Sequence, residues 1–148
     1  MIEDVVHRPV ALIVDDEPDI RSVISFILDR AGFEVCEESD GEAGLATARE
    51  IHPAVVLLDW MMPRLNGIEV CRALRQNPDQ DSAIVIFLTA KAQESDIDLG
   101  LAAGAQDYIM KPFRPALLVS RVQALVAEAE SCSESLPLCH ETTETIPA

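Results

Sequence analysis

Four short apolar runs, each closed by a polar residue, constrain this chain more than any other feature. Val10–Val14 ends on Asp15 and Asp16, Ala54–Leu58 on Asp59, Ala83–Leu88 on Thr89, and Tyr108–Met110 on Lys111. Runs of this length, bounded by turn residues and alternating with helical periodicity, predict strands of a buried parallel sheet. Five repeats of strand then helix require right-handed crossovers, with helices on both faces of the sheet. The expected class is therefore α/β, built on a five-stranded parallel sheet. In such sheets the ligand crevice lies beyond the carboxyl ends of the strands. Three carboxylates, a hydroxyl and an ammonium are thus expected to meet in one pocket.

The helical segments differ in quality. Pro18 suits a first helical turn, and Ile20, Val23, Ile24, Ile27, Leu28 and Ala31 keep one apolar face until Gly32 stops the helix. Glu34–Glu38 alternates and reads as an edge strand. An alanine-rich helix from about Glu42 to Ile51 ends before Pro53, because the residue preceding proline is pushed out of the helical region. A turn over Met62-Pro63-Arg64-Leu65-Asn66-Gly67 leads to a helix from Ile68 to about Gln76, which Asn77-Pro78-Asp79 breaks. The helix at about Gln93–Ala103 is the poorest. Ile97 and Leu101 are its expected anchors, Gly100, Gly104, Asp96 and Asp98 weaken it, and it is expected to be the most mobile element. A strong helix from about Pro115 to Glu130 places Leu118, Val122 and Leu125 on one face.

A chain of 148 residues predicts one domain with a real core. The expected division is a leader over 1–9, a folded domain over 10–130 and an acidic tail over 131–148. The tail, rich in Ser, Thr, Glu and Pro without Lys or Arg, is expected to be disordered. The net charge of −15 repels phosphate backbones and anionic lipid, so neither direct nucleic-acid binding nor membrane binding is expected. Basic partner faces and metal ions suit it better. Cys36, Cys71, Cys132 and Cys139 make no CxxC pair and no metal-ligand spacing with His7, His52 or His140. Cys36 and Cys71 read as reduced packing residues; Cys132 and Cys139 could pair, but nothing requires it. No apolar run reaches about 18 residues, so the expected location is the cytoplasm.

Two carboxylates about 5 Å apart repel by roughly 3 kcal/mol at an effective dielectric near 20. Three at one strand edge call for a cation or for raised pKa values. Oxygen-only ligands suit a hard ion, and two or three carboxylates with waters suit Mg²⁺. Taken singly, Asp16 or Asp19 could merely cap the first helix and Asp59 could merely open a turn. All of them standing at strand ends argues for a site. Lys111 could be simple charge balance, yet a lysine, a hydroxyl and Mg²⁺ together are what a phosphoryl group needs during transfer.

The set resembles the receiver domain of bacterial two-component response regulators, the CheY-like group. The resemblance runs from Val10 to about Ala129 and rests on Asp15-Asp16-Glu17, Asp59 followed by Met62-Pro63 and Asn66-Gly67, Leu88-Thr89-Ala90, Gly104-Ala105, and Tyr108 ahead of Lys111-Pro112-Phe113. It implies sheet order 2-1-3-4-5 with five helices and a phosphoacceptor switch rather than an enzyme. Asp59 would take the phosphoryl group from a sensor histidine kinase, a phosphotransfer protein or a small phosphodonor. Asp16, Asp59 and the Met61 carbonyl would hold Mg²⁺, with Asp15 acting mostly through water. Lys111 would pair with a phosphoryl oxygen, Thr89 would take another, and Tyr108 would turn inward when Thr89 moves. A cis Lys111–Pro112 bond is implied as well.

Rival readings fail on particular residues. A flavodoxin-type FMN carrier needs a hydroxyl- and amide-rich loop after its first strand, where this chain has Asp-Asp-Glu-Pro-Asp. An aspartate-nucleophile phosphatase of the haloacid-dehalogenase type needs an acid two residues after Asp59, where Met61 stands. Receivers of winged-helix transcription factors usually dimerise through charges on the fourth helix, fifth strand and fifth helix. Here Asp107 and Arg121 are retained, but Gln106, Leu117 and Ala127-Glu128 depart from that pattern. The favoured expectation is a stand-alone or non-DNA-binding receiver, monomeric or dimerising on phosphorylation. Its downstream protein effector would dock on Ile97, Leu101, Tyr108 and Leu117. The receiver portion of a DNA-binding regulator is the alternative.

Overall fold

The computed structural model describes residues 8–62, 64–76, 83–90 and 94–129, with backbone only for 94–97. The expectations for residues 1–7, Pro63, Asn77-Pro78-Asp79, the Ile97 side chain and the tail from 130 onward lie outside the described residues. The elements alternate as expected: β1 (Val10–Val14), α1 (Pro18–Arg30), β2 (Glu34–Glu38), α2 (Gly41–Ile51), β3 (Val55–Asp59), α3 (Gly67–Gln76), β4 (Ile84–Thr89), α4 (Glu94–Ala102) and β5 (Asp107–Met110). A last helix, α5, covers 115–129. All strand pairs are parallel, in the order β2-β1-β3-β4-β5.

The apolar runs explain that order. β3 and β4 are buried at every residue and β1 at all but the first, as two-sided strands must be. β2 and β5 lie at the edges and are only partly buried. Side chains of the central strands point alternately to two cores. One, with Ile13, Leu57 and Ile86, packs Ile24 and Leu28 of α1 and Leu118, Val122 and Val126 of α5. The other, with Leu12, Leu58 and Phe87, packs Ala48 of α2 and Val70, Cys71 and Leu74 of α3. Each fully buried aliphatic side chain is worth about 1.5–3 kcal/mol, and with few aromatics these aliphatics hold the fold. Cys36 and Cys71 are both free thiols.

Helix ends are set locally. Gly32, at φ +104°, closes α1 with the Phe33 N–H bonded to the Leu28 carbonyl at 3.0 Å and the Gly32 N–H to Asp29 at 3.2 Å. That is the paired 6→1 and 5→2 ending for which glycine's left-handed conformation is suited. The Arg8 guanidinium covers the same end, donating to the carbonyls of Asp29 (2.8 Å), Gly32 (3.2 Å) and Phe33 (2.6 Å). α2 begins at Gly41, one residue before the expected start, because the Asp40 side chain accepts from the Ala43 N–H. Asn66 and Glu69 cap α3 reciprocally, at 3.0 and 2.9 Å.

α4 departs from expectation in how it is anchored. Leu101 is 46% exposed and Leu99 49%, whereas Gly100 and Ala103 are buried. A Cβ at Gly100 would collide with the rings of Trp60 and Phe87. The glycine read as a weakness is the contact point, and the leucine read as an anchor faces outward. Among the described residues, no helix is long and apolar enough to cross a membrane.

Candidate functional site

Four strand ends deliver the polar residues to one place. β1 and β3 are adjacent in register, so Asp15, following Val14, comes beside Asp59, following Leu58. Asp15 is wholly buried and Asp59 is 5% exposed, while Asp16 is exposed at the rim. One carboxylate oxygen of each lies within 4.8 Å of the others. The capping explanation of these aspartates does not hold for α1: Glu17 occupies the cap position without a side-chain cap bond, and Asp15 Oδ1 instead accepts from the Glu17 N–H at 2.8 Å.

Lys111 reaches into the cluster from the end of β5. Its Nζ lies 3.0 Å from Asp15 Oδ2, 3.5 Å from Asp59 Oδ1 and 3.3 Å from Glu17 Oε1. Its backbone is fixed by a 2.7 Å bond from its N–H to the Thr89 carbonyl, and the Lys111–Pro112 peptide is cis. Thr89, at the end of β4, is buried. Tyr108, one strand over, is half-buried and pairs in register with Phe87. Met61 runs alongside the site, its N–H donating to Asp59 Oδ1 at 3.3 Å. Six of the seven residues singled out in the sequence therefore stand at the carboxyl edge of the sheet, and Tyr108 lies two residues before the end of β5.

The electrostatics are those of crowded carboxylates. Burial pushes the Asp59 carboxyl up to about 7, with the Asp15 charge adding to the rise. Lys111 opposes it, a hydrogen bond with the Asp16 side chain reinforces it, and the Met61 N–H opposes it. For Lys111, burial pulls downward but is outweighed by the hydrogen bond to Asp15 and the charges of Asp59 and Asp15, so its pKa lies above the usual lysine value. One ammonium does not neutralise three clustered carboxylates. An oxygen-only donor set this close, with one member half-protonated near neutrality, fits a hard divalent ion such as Mg²⁺.

Two neighbours were not legible as site residues. Glu17 lends Lys111 a second carboxylate, and Arg21 donates to the Asp15 carbonyl at 2.8 Å while pairing with Glu37 at 3.4 Å. Glu17 stood next to the two aspartates and could have been found from that; Arg21 sits within a helical pattern that gave it no signal. Beside the site, a cavity of about 420 Å³ is lined by Tyr108, Met110, Phe113 and Leu117, with Arg114 and Arg121 at its border. Arg121 is engaged there with Asp107 at 2.7 Å.

Residues 11–123 match the response regulator receiver domain family. The chain is similar to the DNA-binding response regulator MtrA of Mycolicibacterium smegmatis, at 44% identity over 120 residues covering 80% of this chain and 51% of that protein. It spans about half the length of that relative. Among solved structures it is similar to the chemotaxis protein CheY4 of Vibrio cholerae, with a TM-score of 0.77 at 31% identity over 80% of this chain and 98% of the other. The receiver domain of a sensor histidine kinase from Pseudomonas aeruginosa, solved with a magnesium ion in its active-site cleft, superimposes with a TM-score of 0.76 at 30% identity over 82% of this chain and 99% of the other.

Proposed function

The chain belongs to the response regulator receiver domain family, and on that premise we propose that it is a switch thrown by phosphorylation of Asp59. The observation that carries the proposal is the buried Asp59 carboxylate, held between Asp15, Asp16 and the Lys111 ammonium at the carboxyl edge of the sheet. Asp16, Asp59 and the Met61 carbonyl would hold Mg²⁺, with Asp15 acting mostly through water. The bound ion supplies positive charge that keeps Asp59 ionised and screens it from an incoming phosphoryl group. An Asp59 oxygen then attacks phosphorus, the bond to the donor's imidazole nitrogen breaks, and that nitrogen leaves protonated. Lys111 pairs with one phosphoryl oxygen and the Thr89 hydroxyl donates to another. The donor is a phosphohistidine on a sensor kinase or phosphotransfer protein in the cytoplasm, and the chain acts as acceptor rather than as an enzyme on other substrates.

Phosphorylation adds about −1.5 to −2 charges at this edge. A full population swing requires about 5.5 kcal/mol of differential interaction. Two or three charge-assisted hydrogen bonds, at about 1.5–3 kcal/mol each, are of that order. Tyr108 and α4 read the change, and the cavity bordered by Arg114 and Arg121 is the output surface. Two readings of that output have support. Departures from the usual dimer charges at Gln106 and Leu117 favour a protein effector. Similarity to a DNA-binding regulator of which this chain spans half favours the receiver part of a transcriptional regulator, and carries at least equal weight. Incubation with a small phosphodonor and Mg²⁺ tests the central claim: wild type gains one phosphoryl group by mass, and Asp59→Asn gains none. Uptake by Asp59→Asn at the wild-type rate sinks it. Sedimentation with and without a phosphoryl mimic separates the outputs, a mimic-dependent dimer favouring the transcriptional regulator.

A further inference from the structure

We propose that Trp60 forms a second route between the phosphoacceptor and α4, acting through its contact with Gly100. A Cβ at Gly100 would lie 2.9 Å from Trp60 Cζ3 and 3.0 Å from both Cδ2 and Cε2 of Phe87. The α4 backbone thus rests on two aromatic rings with no side chain between. The rings brace one another, edge to face, with centroids 4.8 Å apart. The Trp60 backbone is held on both sides, its N–H donating to the Leu88 carbonyl at 2.9 Å and its carbonyl accepting from Gly67 at 3.2 Å. Gly67 is equally close: a Cβ there would fall 2.7 Å from the Asp59 carbonyl oxygen and 2.8 Å from Phe87 Cε1.

Asp59 is therefore one peptide bond from a ring that touches α4 directly. Close-packed interiors move between discrete arrangements rather than compressing. A shift of residues 59–61 as Asp59 gains its charge partner displaces the indole, and α4 moves with it. Linkage makes the coupling reciprocal: a partner that moves α4 changes affinity at Asp59 by the same factor. The Thr89–Tyr108 relay reaches the same face through β4 and β5, so the two routes can be severed separately. The inference rests on the reading of Asp59 as phosphoacceptor.

The test uses the whole chain with Mg²⁺ and beryllofluoride as the phosphoryl mimic. Amide exchange over residues 98–103 reports α4, and calorimetry gives Mg²⁺ affinity. Wild type shows a mimic-dependent change in exchange, Tyr108→Ala and Trp60→Leu each keep part of it, and the double variant loses it. Gly100→Ala, which drives the helix off the rings, weakens Mg²⁺ affinity on the order of fivefold, while Leu99→Ala on the exposed side leaves it unchanged. Complete loss of the response in Tyr108→Ala alone overturns the second route. So does a Trp60→Leu or Gly100→Ala protein matching wild type in both readouts; should Trp60→Leu not fold, Gly100→Ala decides. Wild type that shows no calorimetric binding of beryllofluoride with Mg²⁺ overturns the assignment of Asp59 itself, whereas wild type that binds it without a change over residues 98–103 overturns the route alone.

Discussion

The two ends of the sheet are built on opposite principles. At the amino end, polar groups are matched: Arg8 satisfies three carbonyls at the close of α1, and Gly32 supplies the backbone conformation that the turn requires. At the carboxyl end, Asp15, Asp16 and Asp59 crowd around one ammonium, and Asp59 titrates near 7. The same strands carry both. One end is arranged for stability, and the other crowds negative charge into an arrangement that a further cation relieves.

The comparison is sharpest at Lys111. Lys111→Met leaves the buried Asp15 carboxylate without the Lys111 ammonium and removes the cation facing a phosphoryl group. Uptake from a small phosphodonor is expected to fall about 10²–10³-fold, as when one transition-state donor is removed. A fall of less than threefold would place Lys111 in charge balance alone.

Next in size is the pH dependence of stability in metal-free protein. The folded pKa of Asp59, about 7, lies above its ordinary 3.8, so the folded state binds more protons in between. This contribution is fully present below 3.8 and is lost as pH rises through about 7. Lys111, with its pKa raised above 10.5, does not titrate in that window. Thermal melts without metal should therefore show stability falling from pH 5 to pH 8, and Mg²⁺ should raise Tm more at pH 8 than at pH 5. An Asp59→Asn protein whose metal-free pH profile matches wild type would contradict this.

At the matched end the effects are smaller. Arg8→Ala should lower stability by about 1–2 kcal/mol in denaturant melts, the scale of a few partly exposed hydrogen bonds to backbone, without altering Mg²⁺ affinity. A change in that affinity would mean the two ends are not independent. The smallest effect is at Arg64, which follows the site in the left-handed region at φ 68° and makes a long 3.9 Å pair with Asp40. Arg64→Gly should stabilise by up to about 1 kcal/mol, since left-handed backbone disfavours residues with a Cβ. Loss of stability would show that the Asp40 pair outweighs the strain.

Most of the fold was legible because the central strands are unbroken apolar runs and α1 and α5 carry clear periodic faces. The five strand-end residues were legible for the same reason: parallel topology alone brings them together. α4 was misread because propensity treats Gly100 as a weakness, while the tertiary structure uses its missing side chain as space for Trp60 and Phe87. Arg8 was invisible because its partners lie 21 to 25 residues away, beyond any local pattern. Long-range polar clamps and close backbone approaches depend on packing, which spacing along one chain does not encode.

The edge strand β2 has a further effect, on how molecules of this protein meet each other in concentrated solution. Its outer row of backbone donors and acceptors is a template for another strand, yet Glu34, Glu37 and Glu38 accompany it within a chain of net charge −15. Two such edges repel before they can align. Colloidal stability is thereby tied to the negative charge carried along this edge.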